Sequence, residues 1–430
     1  MNYEESLCYL ESLNSFGIKL GLERIKKLLE LLDNPQKSYK SIHITGTNGK
    51  GSTTAMLTKV LTESGIKVGM YISPHLVSYT ERMKIGDNDI TEEEFAETIN
   101  IVAGSVRKML QAGEENPTQF EVLTAAAFYY FAQQKVEYAV IEVGLGGLLD
   151  STNVIIPEIS VITNIEMDHA DRCGGTLEGI AKNKAGIIKR EVPVVVGIEN
   201  ETIEIVREVA ESEKAPLWQI SKDFDASFVN IEEQQQVLNF NNNQMEFTYK
   251  LNLLGEHQIK NSALVCQTAM LLSEKDSRIN IDKIKKALAK AYWPGRFEIV
   301  KKKPLIIIDG AHNLAGAVML SKSLQKYYPD KKRVLLLGIL EDKDVEGIIK
   351  ELVLHDDYVI VTEPDSERAA SAKYVATKVK AEFVESISDS SIALKKALSL
   401  MKENSILCVA GSLYLIGRIR NLLQEDSLNF

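Results

Sequence analysis

The sequence predicts an α/β protein with two domains: an N-terminal domain on a mostly parallel sheet with a small β subdomain, and a C-terminal domain with a Rossmann-like sheet. Three observations lead to this prediction. Short apolar runs alternate with segments of helical period, as in βαβ units. Pro294 and Gly295 interrupt that alternation before it starts again. At 430 residues, the chain also exceeds the size at which a single hydrophobic core usually stops growing.

The predicted N-terminal domain covers residues 1–295 and contains a doubly wound sheet. Its expected strands lie at 41–45, 68–72, 138–143, 159–163 and 192–196, and its expected helices at 52–64, 118–133, 257–273 and 281–291. Near 224–254 the pattern changes to short β-like runs at 226–231, 237–240 and 245–253, separated by polar Gln and Asn residues. We expect a small antiparallel insertion there.

The predicted C-terminal domain covers residues 296–430 and starts a new α/β series. Its expected strands lie at 305–308, 333–337, 358–361 and 405–410, with helical segments between them. The boundary is set at the Pro-Gly pair because proline and glycine before a new apolar strand are typical of an interdomain connection.

Composition and charge exclude several classes of protein. A net charge of −10 argues against binding to nucleic acid or to an anionic membrane. The N-terminus lacks the basic and apolar regions of a signal peptide, and no apolar run reaches membrane-spanning length. The four cysteines are far apart and show no metal-binding spacing, which favours reduced thiols. We therefore expect a cytoplasmic protein, a monomer, whose partners are small molecules.

A glycine-rich segment follows the first expected strand. Residues 42–54 read Ile-His-Ile-Thr-Gly-Thr-Asn-Gly-Lys-Gly-Ser-Thr-Thr. Its glycines let backbone N–H groups approach phosphate oxygens, the following helix adds the positive end of its dipole, and Lys50 adds a point charge. The spacing differs from the usual P-loop, and an ordinary glycine-rich turn with an exposed lysine is the alternative. The segment predicts a P-loop-type ATPase sheet that binds a nucleoside triphosphate.

Polar residues end two further strands of the N-terminal domain. Glu142 ends the apolar run at 138–143 and precedes a glycine run, where nucleotide and Mg²⁺ bind in open α/β sheets. His169 follows the run at 159–163. A lone histidine is more often structural, but its position after a strand favours a function. Lys182 and Lys184 suit either a site or a solvated helical face.

In the C-terminal domain, Asp309 and His312 follow the first expected strand. Alone this signal is weak. Paired with Arg296 near the domain junction, it predicts that both domains contribute to one site in a cleft.

Together these segments resemble the folylpolyglutamate synthase/dihydrofolate synthase family of the Mur ligase superfamily, over nearly the whole chain. The resemblance is based on the order and spacing of Gly46-Thr-Asn-Gly-Lys-Gly-Ser52, Ser73-Pro-His-Leu76, Phe120-Glu121, Glu142-Val-Gly-Leu-Gly-Gly147, Asp168-His169, Lys184-Ala-Gly-Ile187, Gly255-Glu-His-Gln258, Pro294-Gly-Arg296, Asp309-Gly-Ala-His-Asn313 and Gly411-Ser-Leu-Tyr414. It implies an ATP-dependent ligase that joins the carboxylate of a folate, dihydropteroate or a tetrahydrofolate, to the amine of L-glutamate through an acyl phosphate.

The resemblance also implies roles for individual residues. ATP phosphates would lie on the loop made of Thr47, Asn48, Gly49, Lys50, Gly51 and Ser52, and the nucleotide would also contact Asn261, Arg296 and Asp309. Mg²⁺, at two sites, would be held by Ser73, Glu142, His169 and Lys184, the last as a carbamate that bridges. Lys50, Lys184 and His312 would serve catalysis. Thr118, Phe120 and Asp150 would form a pterin pocket, and Ser412 and Tyr414 would meet the incoming glutamate.

Four departures from the family pattern lie near this chemistry: Leu148 in place of an arginine, Glu166 in place of a small residue, Cys173 in place of leucine and Asn183 in place of glutamate. They bear on two alternatives: a Mur-type amide ligase for another carboxylate, and a nucleotide-binding paralogue without catalysis. A third alternative is a kinase, which would release a stable phosphorylated product in place of phosphate and an amide.

Overall fold

We analysed a computed structural model, which describes residues 1–13, 19, 21–167 and 175–424. The chain divides into two compact units. The first comprises Met1–Asn252 with Gln258–Tyr292, and the second comprises Leu253–His257 with Trp293–Phe430. Each unit is described by itself.

The first unit contains a mixed sheet that is mostly parallel. Its strands within the described residues are β1 (Lys40–Thr45), β2 (Val68–Tyr71), β3 (Met83–Ile85), β4 (Asn88–Asp89), β5 (Tyr138–Glu142), β6 (Ile159–Ile162), β7 (Val194–Val196) and β8 (Leu217–Gln219). They lie in the order β4-β3-β2-β5-β1-β6-β7-β8. The pairs β2–β3 and β3–β4 are antiparallel and the others parallel. The carboxyl ends of β1, β2, β5 and β6 therefore share one edge.

Helices cover the faces of this sheet, and so its central strands are mostly apolar. The helices described in the first unit are α1 (Tyr3–Ser12), α2 (Glu23–Glu30), α3 (Lys50–Glu63), α4 (Glu92–Gln111), α5 (Gln119–Gln133), α6 (Leu177–Ala185), α7 (Ile203–Ser212), α8 (Glu256–Ser273) and α9 (Ile281–Lys290). All five residues of β5 are buried. Strand β1 differs, since His43 and Thr45 are polar and fully buried.

In the first unit, the sequence analysis missed the helices α1, α2, α4 and α7 and the short strands β3, β4 and β8. Helix α4 begins with a capping box between Thr91 and Glu94, and its apolar face includes Phe95, Ile99 and Val102. The capping residues and the helical spacing of the apolar residues were therefore visible in the sequence. The three strands have only two or three residues each, too few to show a period.

The insertion forms an antiparallel sheet of β9 (Phe224–Glu232), β10 (Gln235–Asn242) and β11 (Met245–Leu251). Glu233 and Gln234 join β9 to β10 and both have positive φ, as a two-residue hairpin turn requires. Strands β9 and β10 extend beyond the predicted runs, because their polar ends continue the ladder.

The second unit has a sheet in the order β12-β13-β17-β14-β15-β16, parallel apart from the pair β12–β13. Its described strands are β12 (Glu298–Lys302), β13 (Leu305–Ile308), β14 (Lys332–Leu337), β15 (Tyr358–Val361), β16 (Phe383–Ser386) and β17 (Ser405–Ala410). Its described helices are α10 (Leu314–Tyr327), α11 (Val345–Leu352), α12 (Ala372–Lys378), α13 (Ser390–Ser399) and α14 (Leu413–Gln424). Two mostly parallel α/β sheets, the first with an antiparallel insertion, confirm the predicted fold class.

Among the helices that the structure describes, none has both the length and the apolar character needed to cross a membrane. Cys8, Cys266 and Cys408 are free thiols. Cys173 lies outside the described residues.

Candidate active site

The glycine-rich segment at residues 46–52, here called the phosphate loop, leaves β1 and opens α3. The N-cap of α3 is Gly49, whose φ of 82° lies in the left-handed region that glycine favours. Gly49 has no side chain to cap the helix, and so the first N–H groups of α3 stay open to an anion. Lys50 Nζ donates to the carbonyl oxygens of Gly46 at 3.1 Å and Thr47 at 3.3 Å. The loop thus folds around its own lysine.

Close packing explains why two positions of the phosphate loop require glycine. A Cβ on Gly46 would lie 1.8 Å from Thr163 Oγ1, and one on Gly49 would lie 2.5 Å from Asn261 Oδ1. Asn261, a predicted nucleotide contact, is 6% exposed and lies directly against the phosphate loop.

The segment after β6 holds the phosphate loop from the other side. Asn164 Oδ1 accepts hydrogen bonds from the N–H groups of Thr47 at 3.1 Å and Asn48 at 2.8 Å. Glu166 Oε2 accepts from Asn48 Nδ2 at 2.8 Å, and Thr163 Oγ1 donates to the Asn48 carbonyl at 2.6 Å. Sequence reasoning missed Thr163 and Asn164. It noticed Glu166 only as a departure, and the structure places that carboxylate on the phosphate loop.

Two of the predicted metal ligands meet where β2 and β5 end. The Ser73 N–H donates to Glu142 Oε2 at 3.3 Å. The Oγ atom of Ser73 is buried and has no hydrogen-bond partner among the described residues. A hydroxyl that lacks a partner beside a buried carboxylate offers the hard oxygen donors that Mg²⁺ prefers. These two residues fit the predicted ion.

The other predicted ligands differ in how far the structure describes them. Lys184 is 5% exposed, whereas Lys182 on the same helix is exposed, and so Lys184 does not belong to a solvated helical face. His169 lies outside the described residues. Among residues 1–13, 19, 21–167 and 175–424 there is no cluster of three or more His, Cys, Asp or Glu side chains suited to a metal.

A second glycine-rich segment at residues 144–150, here called the substrate loop, follows β5. A Cβ on Gly144 would lie 2.4 Å from Phe120 Cζ, and so the tip of the ring lies directly against the loop. Tyr71 stacks on Phe120 with ring centroids 6.2 Å apart. A second predicted pocket residue, Thr118, caps α5, where its Oγ1 accepts from the Glu121 N–H at 3.3 Å.

Helix α6 fixes the middle of the substrate loop. The Leu148 N–H donates to the Asn183 carbonyl at 2.8 Å and to Asn183 Oδ1 at 3.2 Å. A Cβ on Gly146 would lie 2.4 Å from the same Oδ1. The Leu148 side chain is 47% exposed. Asn183 therefore has a structural task, while Leu148, one of the four expected departures from the family pattern, presents an apolar side chain at the surface.

In the second unit, Asp309 organises the predicted residues. Its Oδ2 accepts from the Phe297 N–H at 2.7 Å and its Oδ1 from the Ala311 N–H at 2.8 Å. Burial raises the pKa of Asp309, and the nearby Arg296 opposes that rise. A Cβ on Gly310 would lie 2.7 Å from Arg296 Nη1. The Asp309 bonds bring the Arg296 segment onto the turn after β13.

His312 belongs to the same turn, where its Nδ1 donates to the Gly310 carbonyl at 2.7 Å. The two weaker candidates lie after β17. Ser412 is buried and its Oγ accepts from the Leu415 N–H at 3.1 Å, while Tyr414 is exposed and its hydroxyl accepts from Arg368 Nη2 at 3.4 Å. That both domains contribute to one site stays a prediction.

Comparison with known proteins agrees with this geometry. The model of the Mur ligase middle domain matches residues 44–269, and that of the Mur ligase, glutamate ligase domain matches residues 295–413. The dihydrofolate synthase/folylpolyglutamate synthase of Bacillus subtilis is 34% identical over 98% of this chain and 99% of its own length. The chain belongs to this family of Mur ligases. The predicted resemblance is thus confirmed.

Solved structures of the Mur ligase family share the fold. The Mycobacterium tuberculosis folylpolyglutamate synthase, complexed with ADP and AMPPCP, has a TM-score of 0.88 at 32% identity and covers 98% of this chain and 99% of its own. The E. coli FolC structure, with DHPP and ADP, has a TM-score of 0.89 at 28% identity and covers 100% of this chain and 99% of its own. The two-domain Mur ligase fold extends over the whole chain.

Proposed function

We propose that this Mur ligase is an ATP-dependent enzyme that joins a folate carboxylate to the amine of L-glutamate and releases ADP and phosphate. One observation carries the proposal. The phosphate loop, the Ser73–Glu142 pair and the Phe120–Gly144 contact lie at one edge of one sheet, at the ends of β1, β2 and β5. A nucleotide, a metal and an aromatic-lined pocket are what such a ligase must combine.

The reaction begins when the folate carboxylate attacks the γ-phosphate of ATP and forms an acyl phosphate with release of ADP. The glutamate amine then attacks the acyl carbon, an amide bond forms, and phosphate leaves with the electron pair of the broken C–O bond. Lys50 and the open N–H groups of α3 stabilise negative charge on the transferring phosphoryl group. Nucleotide contacts by Asn261, Arg296 and Asp309, and a place for His312 near the reacting atoms, follow from the family.

Mg²⁺ offsets charge on the phosphates when it is bound. Ser73 and Glu142 would hold it together with His169, and a carbamate on Lys184 would bridge two ions. Lys184 is 5% exposed, and so a carbamate formed on it would lie inside the protein, where it would serve as a ligand for cations.

Native mass spectrometry at neutral pH with bicarbonate tests the carbamate. We expect an adduct of one CO₂ on the wild type and none on Lys184→Ala. Equal adducts on both proteins would contradict the modification. Lys182→Ala, an exposed lysine on the same helix, is the matched control.

The residues that would bind the pterin belong to the first unit, and those that would bind L-glutamate belong to the second. Phe120 offers an aromatic face to a pterin ring, with Thr118 and Asp150 beside it in the family pattern. Ser412 and Tyr414 would meet L-glutamate. Dihydropteroate and tetrahydrofolates are both candidate acceptors, and we propose that the enzyme works as a cytoplasmic monomer.

Mass analysis of the reaction products tests the proposed function. The enzyme is incubated with ATP-Mg²⁺ and L-glutamate, and with dihydropteroate, tetrahydrofolate or no pterin. We expect ADP, phosphate and a pterin heavier by one glutamyl residue, with no phosphate released when pterin is omitted. A phosphorylated pterin would indicate a kinase, and no turnover of either pterin would contradict the ligase.

A further inference from the structure

His43 is a fully buried histidine in the middle of β1 to which the proposed mechanism gives no role. Its Nε2 lies 2.8 Å from Thr152 Oγ1. Its Nδ1 is buried and has no hydrogen-bond partner among the described residues. A histidine that served only to satisfy hydrogen bonds in the core would use both ring nitrogens.

The direction of the His43 hydrogen bond follows from the next contact. Thr152 Oγ1 lies 2.5 Å from Asp150 Oδ1, an acceptor to which the hydroxyl donates. The Thr152 oxygen must therefore accept from the imidazole, and Nε2 carries the hydrogen. The bonds run from His43 through Thr152 to Asp150.

Asp150 connects this chain of hydrogen bonds to the backbone of the substrate loop. Its Oδ2 accepts from the Leu145 N–H at 2.9 Å, and its Oδ1 also accepts from the Thr152 N–H at 2.9 Å. Thr45, two residues after His43 and therefore on the same face of β1, donates from Oγ1 to the Gly146 carbonyl at 2.6 Å. The strand that carries the phosphate loop thus anchors the substrate loop at two points.

We propose that His43 and Thr152 are positioning residues for folate binding: they fix the Asp150 carboxylate and, through it, the wall of the substrate loop against Phe120. The inference rests on the proposed function, since it assigns the folate side of that site. Burial favours the uncharged imidazole, which donates one hydrogen bond without placing a cation beneath the loop. Both side chains are fully buried, and so we assign them no direct contact with the substrate.

Thr152→Val is the first test because it removes the hydroxyl and keeps the shape of the side chain. We expect the KM for dihydropteroate to rise roughly ten-fold, because the variant loses one hydrogen bond to a charged group. The KM for ATP should stay unchanged. Thr152→Ser should restore the wild-type KM within about two-fold, because it keeps the hydroxyl. Parallel increases in both KM values, or no increase in either, would overturn the proposal.

A matched control and a double variant separate positioning from general stability. Thr268 in α8 is also fully buried, but its hydroxyl has no partner among the described residues, and so Thr268→Val should leave both KM values unchanged. His43→Leu should raise the KM for dihydropteroate as Thr152→Val does. Because the two residues act in series, the double variant should be no worse than either single one. If the increases in the KM for dihydropteroate were additive in the double variant, His43 and Thr152 would not act through the same hydrogen-bonded chain.

Hydrogen exchange gives a readout that does not depend on turnover. The Leu145 amide bonds to Asp150, and so we expect it to exchange faster in Thr152→Val than in the wild type and in Thr268→Val. Unchanged exchange at Leu145 would overturn the anchoring role even in an active enzyme. A second outcome separates the two proposals. If Leu145 exchanges faster in Thr152→Val but the wild type turns over neither pterin, the anchoring role stands, whereas the proposed function and the assignment to folate are both wrong.

Discussion

The phosphate loop and the substrate loop are both glycine-rich and follow neighbouring parallel strands, but different parts of the protein hold them. The phosphate loop is held mainly from the segment after β6, by Asn164 and Glu166. The substrate loop is held from β1 by Thr45 and, through Asp150, by His43, and from α6 by Asn183. Similar local sequences therefore depend on separate supports, and a change in one support should affect one substrate.

Lys50→Ala should have the largest effect on the phosphate loop. Loss of a cation that stabilises the transferring phosphoryl group is expected to lower kcat by roughly 10²- to 10³-fold. Single-turnover phosphate release measures the loss. Lys59→Ala is the control, since Lys59 lies on the same helix but pairs with Asp87 at 2.6 Å, and it should retain wild-type turnover. A Lys50→Ala enzyme with normal kcat would exclude this role.

Gly144→Ala should act on the substrate loop alone. Its Cβ would lie 2.4 Å from Phe120 Cζ, and the ring would have to move. Overpacking typically costs about 1–3 kcal/mol, and if that cost falls on the pocket, the KM for dihydropteroate should rise roughly 10- to 100-fold. Gly104→Ala in α4 is the control because its Cβ would come no closer than 3.7 Å to Arg107 Nη2. A rise in the KM for ATP instead would show that the loops are not independent.

The support under the substrate loop should also make stability depend on pH. Burial, with help from the charge of Lys189, lowers the pKa of His43 from 6.5 to about 3. In the unfolded chain His43 becomes protonated below pH 6.5, whereas in the folded protein it stays neutral down to about pH 3. The unfolded state therefore binds more protons between these pH values, and the free energy of unfolding falls as the pH drops through that range. The slope is about 1.4 kcal/mol per pH unit, which gives about 2 kcal/mol between about pH 6.5 and about pH 5.

Urea unfolding at about pH 7 and about pH 5 measures this dependence. His43→Gln should remove that part of the pH dependence, because glutamine does not titrate. His355→Gln, which changes an exposed histidine, should keep the wild-type dependence. Identical pH profiles for wild type and His43→Gln would contradict the lowered pKa.

Glu166→Gln should give the smallest effect, on the phosphate loop. Glutamine can still accept from Asn48, but it removes a negative charge beside the expected phosphates. The KM for ATP should fall by roughly two- to five-fold at low ionic strength, and the gain should shrink with salt. Glu178→Gln, at an exposed position of α6, is the control. A higher KM for ATP would instead indicate that the carboxylate helps to bind the nucleotide complex.

Local signals sufficed for the fold class and for locating the two glycine-rich loops. Apolar runs located the central strands because both faces of the sheet are buried, and the glycines of both loops stood out by composition. The supports were missed because they join residues far apart in the chain: Thr47 to Asn164 and His43 to Thr152 are separated by more than 100 residues. Neither His43 nor Asn164 differs in its local pattern from an ordinary strand or loop residue.

The most direct test of the independence of the two loops is to measure the KM values for ATP and dihydropteroate in Gly144→Ala and Glu166→Gln side by side. We expect a crossed pattern: Gly144→Ala raises the KM for dihydropteroate and leaves that for ATP unchanged, while Glu166→Gln lowers the KM for ATP and leaves that for dihydropteroate unchanged. Joint movement of both KM values in either variant would contradict it.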